Sequence, residues 1–229
     1  MLANDGYATG RRQARPLRTS GEAPPGLRPL ELSAASEGYL YVSAVYRAQR
    51  PAPLVVLLHG AGEDARDGLA LLRQQADEAG LILLALSSQG PTWDLILGRG
   101  RYGPDVAAID EALKWALSSY AVDPERLAVG GYSDGASYAL SLGISNGDLV
   151  SHVLAFSPGF MAPVSRVGSP RFFVSHGTRD GWLPIDRTSR RIVPELEQMG
   201  YEVCYREFDG AHVVPPRIAR EGVNWLAVR

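Results

Sequence analysis

The chain has 229 residues, 45% hydrophobic and 21% charged, with a formal net charge of −2. That length suits one domain able to bury roughly 70% of the surface its unfolded chain exposes. The near-neutral balance gives no global field for nucleic acid. The longest unbroken apolar runs, such as Leu81 to Leu86, are far too short to cross a bilayer, so a soluble protein with no nucleic-acid or membrane partner is expected.

Residues 1–28 carry Arg11, Arg12, Arg15, Arg18 and Arg28 among Pro and Gly, without helix or strand periodicity. They read as a solvated N-terminal arm ahead of a single domain over residues 29–229. The first twenty residues lack the apolar core of a signal peptide. The single cysteine, Cys204, excludes an internal disulfide and a multi-cysteine metal site. A reducing, cytoplasmic setting is expected.

Two strand candidates, Leu30 to Ser33 and Tyr39 to Tyr46, come first. Leu54 to Leu58 is a continuous apolar run, the pattern of a strand covered on both faces. A helix is predicted from about Asp67 to Ala79, then a second buried run over Leu81 to Leu86. Val106, Ile109, Leu113, Ala116 and Tyr120 mark one face of a helix that Pro104 can open. A short strand at Leu127 to Val129 leads to a helix repeating Ala136, Ala139, Leu140 and Ile144. Strands follow at Val150 to Phe156 and Phe172 to Ser175, then a helix from about Asp186 to Met199, a strand at Tyr201 to Phe208, and a last helix from Pro215 and Pro216 to near Trp225. This alternation predicts an α/β fold: a mostly parallel central sheet, helices on both faces, and ligands at the carboxyl ends of the strands.

The stretch LAVGGYSDGASYAL, Leu127 to Leu140, places a lone serine between glycines where a strand must reverse into a helix. A Cβ at Gly131 or Gly135 would collide with the elements on either side, and such a turn lifts the Ser133 side chain clear of the backbone. With 25 glycines in the chain the pattern alone is weak; its partners have to be found at other strand ends.

The strand end LVVLLHGAGEDA offers two readings. Gly60, Gly62 and Ala65 satisfy a dinucleotide-binding fingerprint, which would make the chain an oxidoreductase. Against this, Glu63 and Asp64 would put carboxylates where a pyrophosphate belongs, and the following strand ends LALSSQG, with no acid to hold a ribose hydroxyl. In the other reading the backbone N–H of Ala61 pairs with that of Asp134 as an oxyanion hole, and the His59 side chain braces the turn.

A base must reach Ser133 from a strand carboxyl end. His59 belongs to the turn, His152 lies at the amino end of its strand, and His176 stands directly before GTRDG as a loop brace. His212, in FDGAHVVPP past the last strand, is correctly placed. The acid should lie between serine and histidine at another strand end, as Asp180 does. Asp186 is a second candidate better suited to capping the helix behind it, and Asp209 is too near His212 to orient its ring. The order Ser133, Asp180, His212 is the one expected of an α/β-hydrolase.

Together HGAGED, GGYSDGASYAL, HGTRDGWLP and FDGAH resemble the phospholipase/carboxylesterase branch of the α/β-hydrolase superfamily, related to dienelactone-hydrolase-like and polyhydroxyalkanoate-depolymerase-like esterases. The resemblance covers about residues 38–229. It implies a serine carboxylesterase acting on a small-molecule ester through an acyl-enzyme, needing no metal or cofactor. An acyl thioesterase or (lyso)phospholipase would use the same triad, and a non-catalytic binding protein of the same fold is the remaining alternative. Asp134 departs from the pattern, since many relatives carry Gln or Met there; its carboxylate is expected to influence the leaving group. Dienelactone hydrolases proper carry Cys where this chain has Ser133. Only SPGFMAPVSRVGSP separates the strand after the elbow helix from the next, so no lid domain fits. Trp93, Phe160, Met161, Trp182 and Leu183 follow strand ends and are candidates for the walls of a pocket for short to medium acyl chains.

Overall fold

The computed structural model describes residues 9–15, 23–32 and 36–228. Among them the strands are β1 (Gly26–Leu30), β2 (Gly38–Val42), β3 (Ala52–Leu58), β4 (Ile82–Leu86), β5 (Val122–Tyr132), β6 (His152–Phe156), β7 (Arg171–Gly177) and β8 (Val203–Phe208). The helices are α1 (Ala65–Ala70), α2 (Ala76–Ala79), α3 (Asp94–Leu97), α4 (Pro104–Ser119), α5 (Asp134–Ser145), α6 (Ser189–Gln198) and α7 (Pro216–Ala227). One sheet runs β1-β2-β4-β3-β5-β6-β7-β8. Its first two pairings, β1 with β2 and β2 with β4, are antiparallel, and every later one is parallel.

The apolar runs are continuous because both faces of the sheet are covered. On β3, Leu54, Val56 and Leu58 join a core with α4, α5 and α6. The alternate residues Val55 and Leu57 join a second core with α1, α2 and α7. The two-residue period of a strand thus feeds two hydrophobic layers at once. Pro104 opens α4 at its first turn, where its missing N–H costs nothing. None of the helices in the described residues is long and apolar enough to cross a membrane.

The helix predicted over 67–79 is broken. Asp64 caps α1 with its side chain and forms a capping box with Asp67. The chain then tightens through three-residue-span bonds, Leu71 N–H to Gly68 O, Leu72 N–H to Leu69 O and Gln75 N–H to Leu72 O, before α2 begins. The anion site of the dinucleotide reading is thereby filled by the chain's own carboxylates: Asp64 takes the N–H groups of Arg66 and Asp67, and Glu63 takes that of Gly60. The helix predicted from Asp186 begins as a single 3-10 turn, Ile185–Arg187. Asp186 caps nothing; its carboxylate pairs with Arg190 at 2.7 Å.

The N-terminal arm also differs from expectation. Its boundary at residue 28 falls inside β1, and Gly10, Arg12 and Ala14 are buried rather than solvated. Ala14 is 1% exposed. The N–H groups of Gln13 and Ala14 are accepted by Asp110 Oδ1 at 2.8 and 2.9 Å. Asn146 accepts from Arg12 N–H and donates to Gly10 O, the Arg12 guanidinium donates to Val106 O, and Arg11 makes a two-pronged pair with Asp148. The arginines serve carboxylates and carbonyls on and beside α4 and α5, which is why no periodicity marks them. Arg18 and Ser33 lie outside the described residues.

Candidate active site

The site gathers at the carboxyl ends of the parallel strands. Ser133 joins β5 to α5 with φ 56° and ψ −117°, a conformation that costs a non-glycine residue about 1–3 kcal/mol. The turn is possible because its flanks are bare. A Cβ on Gly131 would lie 2.4 Å from the Gly135 carbonyl carbon, and one on Gly135 would lie 2.1 Å from Leu58 O. The start of α5 is therefore pressed directly onto the end of β3.

That close approach brings the two expected backbone donors to one cavity. In the turn after β3, the N–H of Gly60 goes to Glu63 Oε2, that of Gly62 to Pro91 O and that of Glu63 to Gly60 O, leaving the exposed Ala61 N–H unspent. Asp134 is the first residue of α5, where a helix has no internal acceptor for the N–H. Ala61, Ser133 and Asp134 line a cavity of about 370 Å3 with Tyr132, Trp182, Leu183 and His212.

His212 Nε2 is 2.9 Å from Ser133 Oγ, and His212 Nδ1 is 2.5 Å from Asp180 Oδ2. Asp180 Oδ1 accepts the N–H groups of Trp182 and Leu183 at 2.9 and 2.8 Å. Burial pushes the Asp180 carboxyl up. The Leu183 N–H, the His212 ring and the Trp182 N–H outweigh that and hold it below the ordinary carboxylate range. An ionised Asp180 accepts from Nδ1–H and leaves Nε2 as the acceptor facing the serine hydroxyl. The three residues expected as a triad are thus brought together in hydrogen-bonding sequence.

The other histidines keep to structural places. His59 Nε2 accepts the Ser88 N–H and its Nδ1–H donates to Gly60 O at 2.6 Å, fixing the turn. His152 sits at the amino end of β6, edge-on to Trp225. His176 is fully buried, between Ser189 Oγ at 2.6 Å and Leu183 O at 2.8 Å, with Nε2 3.1 Å from Asp180 Oδ2. Asp209 pairs with Arg179 at 2.8 Å.

The predicted pocket walls are divided. Trp182, 85% exposed, and Leu183 line the cavity. Trp93 does not: it is fully buried, donates Nε1–H to His59 O at 2.9 Å and packs between the rings of His59 and Tyr138. It props the turn after β3 from below. Phe160 and Met161 pack against the core, and their loop is pinned to α5 where Ser137 and Ser141 accept the N–H groups of Gly159 and Ala162. The Asp134 carboxylate accepts from Thr92 Oγ1 at 2.7 Å.

Sequence reading missed Tyr132. Its hydroxyl donates to His212 O at 2.7 Å, and the two rings lie 4.8 Å apart. Its position beside Ser133 is the available signal, since a residue flanking that turn lies within reach of whatever meets the serine.

No family model matches the chain. An acetylxylan esterase of Coprinopsis cinerea is 38% identical over 105 residues, 40% of this chain and 28% of that protein. This chain thus matches 28% of that relative's length. Among solved structures, esterase PE8 is similar with a TM-score of 0.66 at 22% identity, over 86% of this chain and 99% of the other. The S-formylglutathione hydrolase of Staphylococcus aureus is similar with a TM-score of 0.70 at 12% identity, over 91% and 99%. A sheet of this order, bent sharply at Ser133 and matched by solved esterases, is the α/β-hydrolase fold, and within that fold the chain resembles esterases of the carboxylesterase and phospholipase-like type.

Proposed function

We propose that the chain is a serine hydrolase of carboxylic esters with short to medium acyl groups, working through an acyl-enzyme. The observation that carries this is the unbroken relay from Ser133 Oγ through His212 to Asp180, opening on a cavity with two unspent backbone donors. In this reading His212 Nε2 takes the hydroxyl proton as Ser133 Oγ attacks the ester carbonyl, and Asp180 stabilises the imidazolium. The carbonyl oxygen, now negative, meets the N–H groups of Ala61 and Asp134; a preorganised donor of this kind is worth about 3 kcal/mol of barrier. Collapse expels the alcohol with the proton from His212, and water repeats the sequence to free the acid.

The acyl length follows from the walls. Each methylene entering an apolar pocket contributes about 0.8 kcal/mol, but Trp182 is exposed and the cavity is open, so the gain ends early. The relative named for acetylxylan is consistent with a small acyl group. Measuring kcat/KM across p-nitrophenyl esters tests the reading: a maximum between roughly two and eight acyl carbons is expected, and a preference rising to sixteen would refute the short pocket. Acyl thioesters and lysophospholipids in the same panel separate the related activities that share the triad.

A further inference from the structure

A second cavity, also of about 370 Å3, lies between α1 and α7 and meets the catalytic one at Glu63, Tyr132 and His212. Resting on the ester-hydrolase reading, we infer that this second cavity is the leaving-group subsite and that it takes a neutral polyhydroxy alcohol of the sugar class.

Direction comes from the proton. The alcohol oxygen must receive its proton from His212 Nε2, so the leaving group departs on the histidine side of Ser133. On that side the cavity continues past His212 along Val213 and Val214 to Leu71, Gln74 and Gln75. Gln75 is the informative residue. It is 4% exposed and lines the cavity, yet its side-chain amide has no hydrogen-bond partner among the described residues. At the cavity wall that amide offers one acceptor and two donors to whatever enters. Hydroxyl groups, which both donate and accept, match it.

Charge narrows the class. Glu63 and Asp67 put carboxylates on the same wall, and among the described residues no arginine or lysine lines the cavity to oppose them, so phosphate-bearing leaving groups are disfavoured. Glu63 already accepts the Gly60 N–H and Asp67 the Asp64 N–H, which commits part of each carboxylate to the fold. The apolar faces of Leu71, Val213 and Val214 suit the C–H faces of a sugar ring.

The test keeps the acyl half constant. Hydrolysis of methyl 6-O-acetylglucoside, whose other hydroxyls are free, ethyl acetate and acetylcholine is compared in the wild type and in Gln75→Leu, and methyl glucoside is titrated as an inhibitor of p-nitrophenyl acetate hydrolysis. The wild type should use the sugar ester at least tenfold better than ethyl acetate, with methyl glucoside competing. Gln75→Leu should lower the ratio of sugar ester to ethyl acetate at least fivefold and weaken that competition. The inference is overturned by a sugar ester no better than ethyl acetate, by a preference for acetylcholine, or by a ratio that Gln75→Leu leaves unmoved. The wild-type arm stands whatever the variant's folding. Failure to hydrolyse any ester, p-nitrophenyl acetate included, would instead refute the ester-hydrolase reading on which this one rests.

Discussion

His176 Nε2 lies 3.1 Å from Asp180 Oδ2, so the carboxylate that orients His212 is held between two imidazoles. Burial pushes the His176 imidazole below its ordinary value, and Ser189 Oγ faces its Nδ1. A neutral His176 donates from Nε2 towards Leu183 O and Asp180 together, fixing the acid without competing for a charge.

Asp180→Asn is expected to keep the fold and lose on the order of 10³ to 10⁴ in kcat, because an amide in that place no longer selects the Nδ1–H tautomer. Asp186→Asn loses only an exposed pair with Arg190 and should change kcat/KM by less than about threefold. Steady-state kinetics on the two variants check this, and a reversed order of effects would move the acid to Asp186.

Tyr132→Phe removes the hydrogen bond to His212 O and keeps the ring against the imidazole. If Tyr132 holds His212 in place as the proposed base, kcat should fall about tenfold while KM stays within about twofold. A rise in KM with kcat unchanged would make Tyr132 a substrate contact instead.

Acid should weaken the fold through His152. Burial, with Arg171 and Arg126 nearby and Glu202 opposing them, pushes this imidazole down to about 4. In the unfolded chain its value is about 6.5, so below that pH the unfolded chain binds a proton that the native fold refuses. Stability is therefore lost as pH falls from about 6.5 towards 4 and is untouched by this group above 6.5. His152→Phe, which keeps a ring against Trp225, should show a shallower fall of Tm over that range. His176 contributes in the same direction, so the slope is reduced and not abolished. Thermal melts of both proteins from pH 4 to 8 decide it, and parallel curves would count against His152.

What the sequence made legible follows from local sterics and period. Buried parallel strands read as unbroken apolar runs: the expected β3 starts two residues late and the expected β4 one residue early, and the turn at Ser133 can be placed because only glycines tolerate the contacts at Gly131 and Gly135. The expected triad rests on one serine, one acid and one histidine at the ends of β5, β7 and β8. Features set by distant partners were not legible. Arg11, Arg12 and Ala14 are packed by Asp148, Val106 and Asp110, more than ninety residues away in the chain. The start of β5 is not legible because Asp123, Pro124 and Glu125 interrupt the apolar run, although the strand carries them past a register shift against β3. Trp93 illustrates the limit on walls: a tryptophan after a strand can face the cavity or the core, and the His59 carbonyl decided for the core.

If Ser133 is the nucleophile and His212 activates it, an alkyl organophosphonate should modify that one side chain. Intact-mass measurement after treatment should show one adduct on the wild type, mapped to Ser133, and none on Ser133→Ala. A folded wild type that takes no adduct, or an adduct that survives Ser133→Ala, would contradict it.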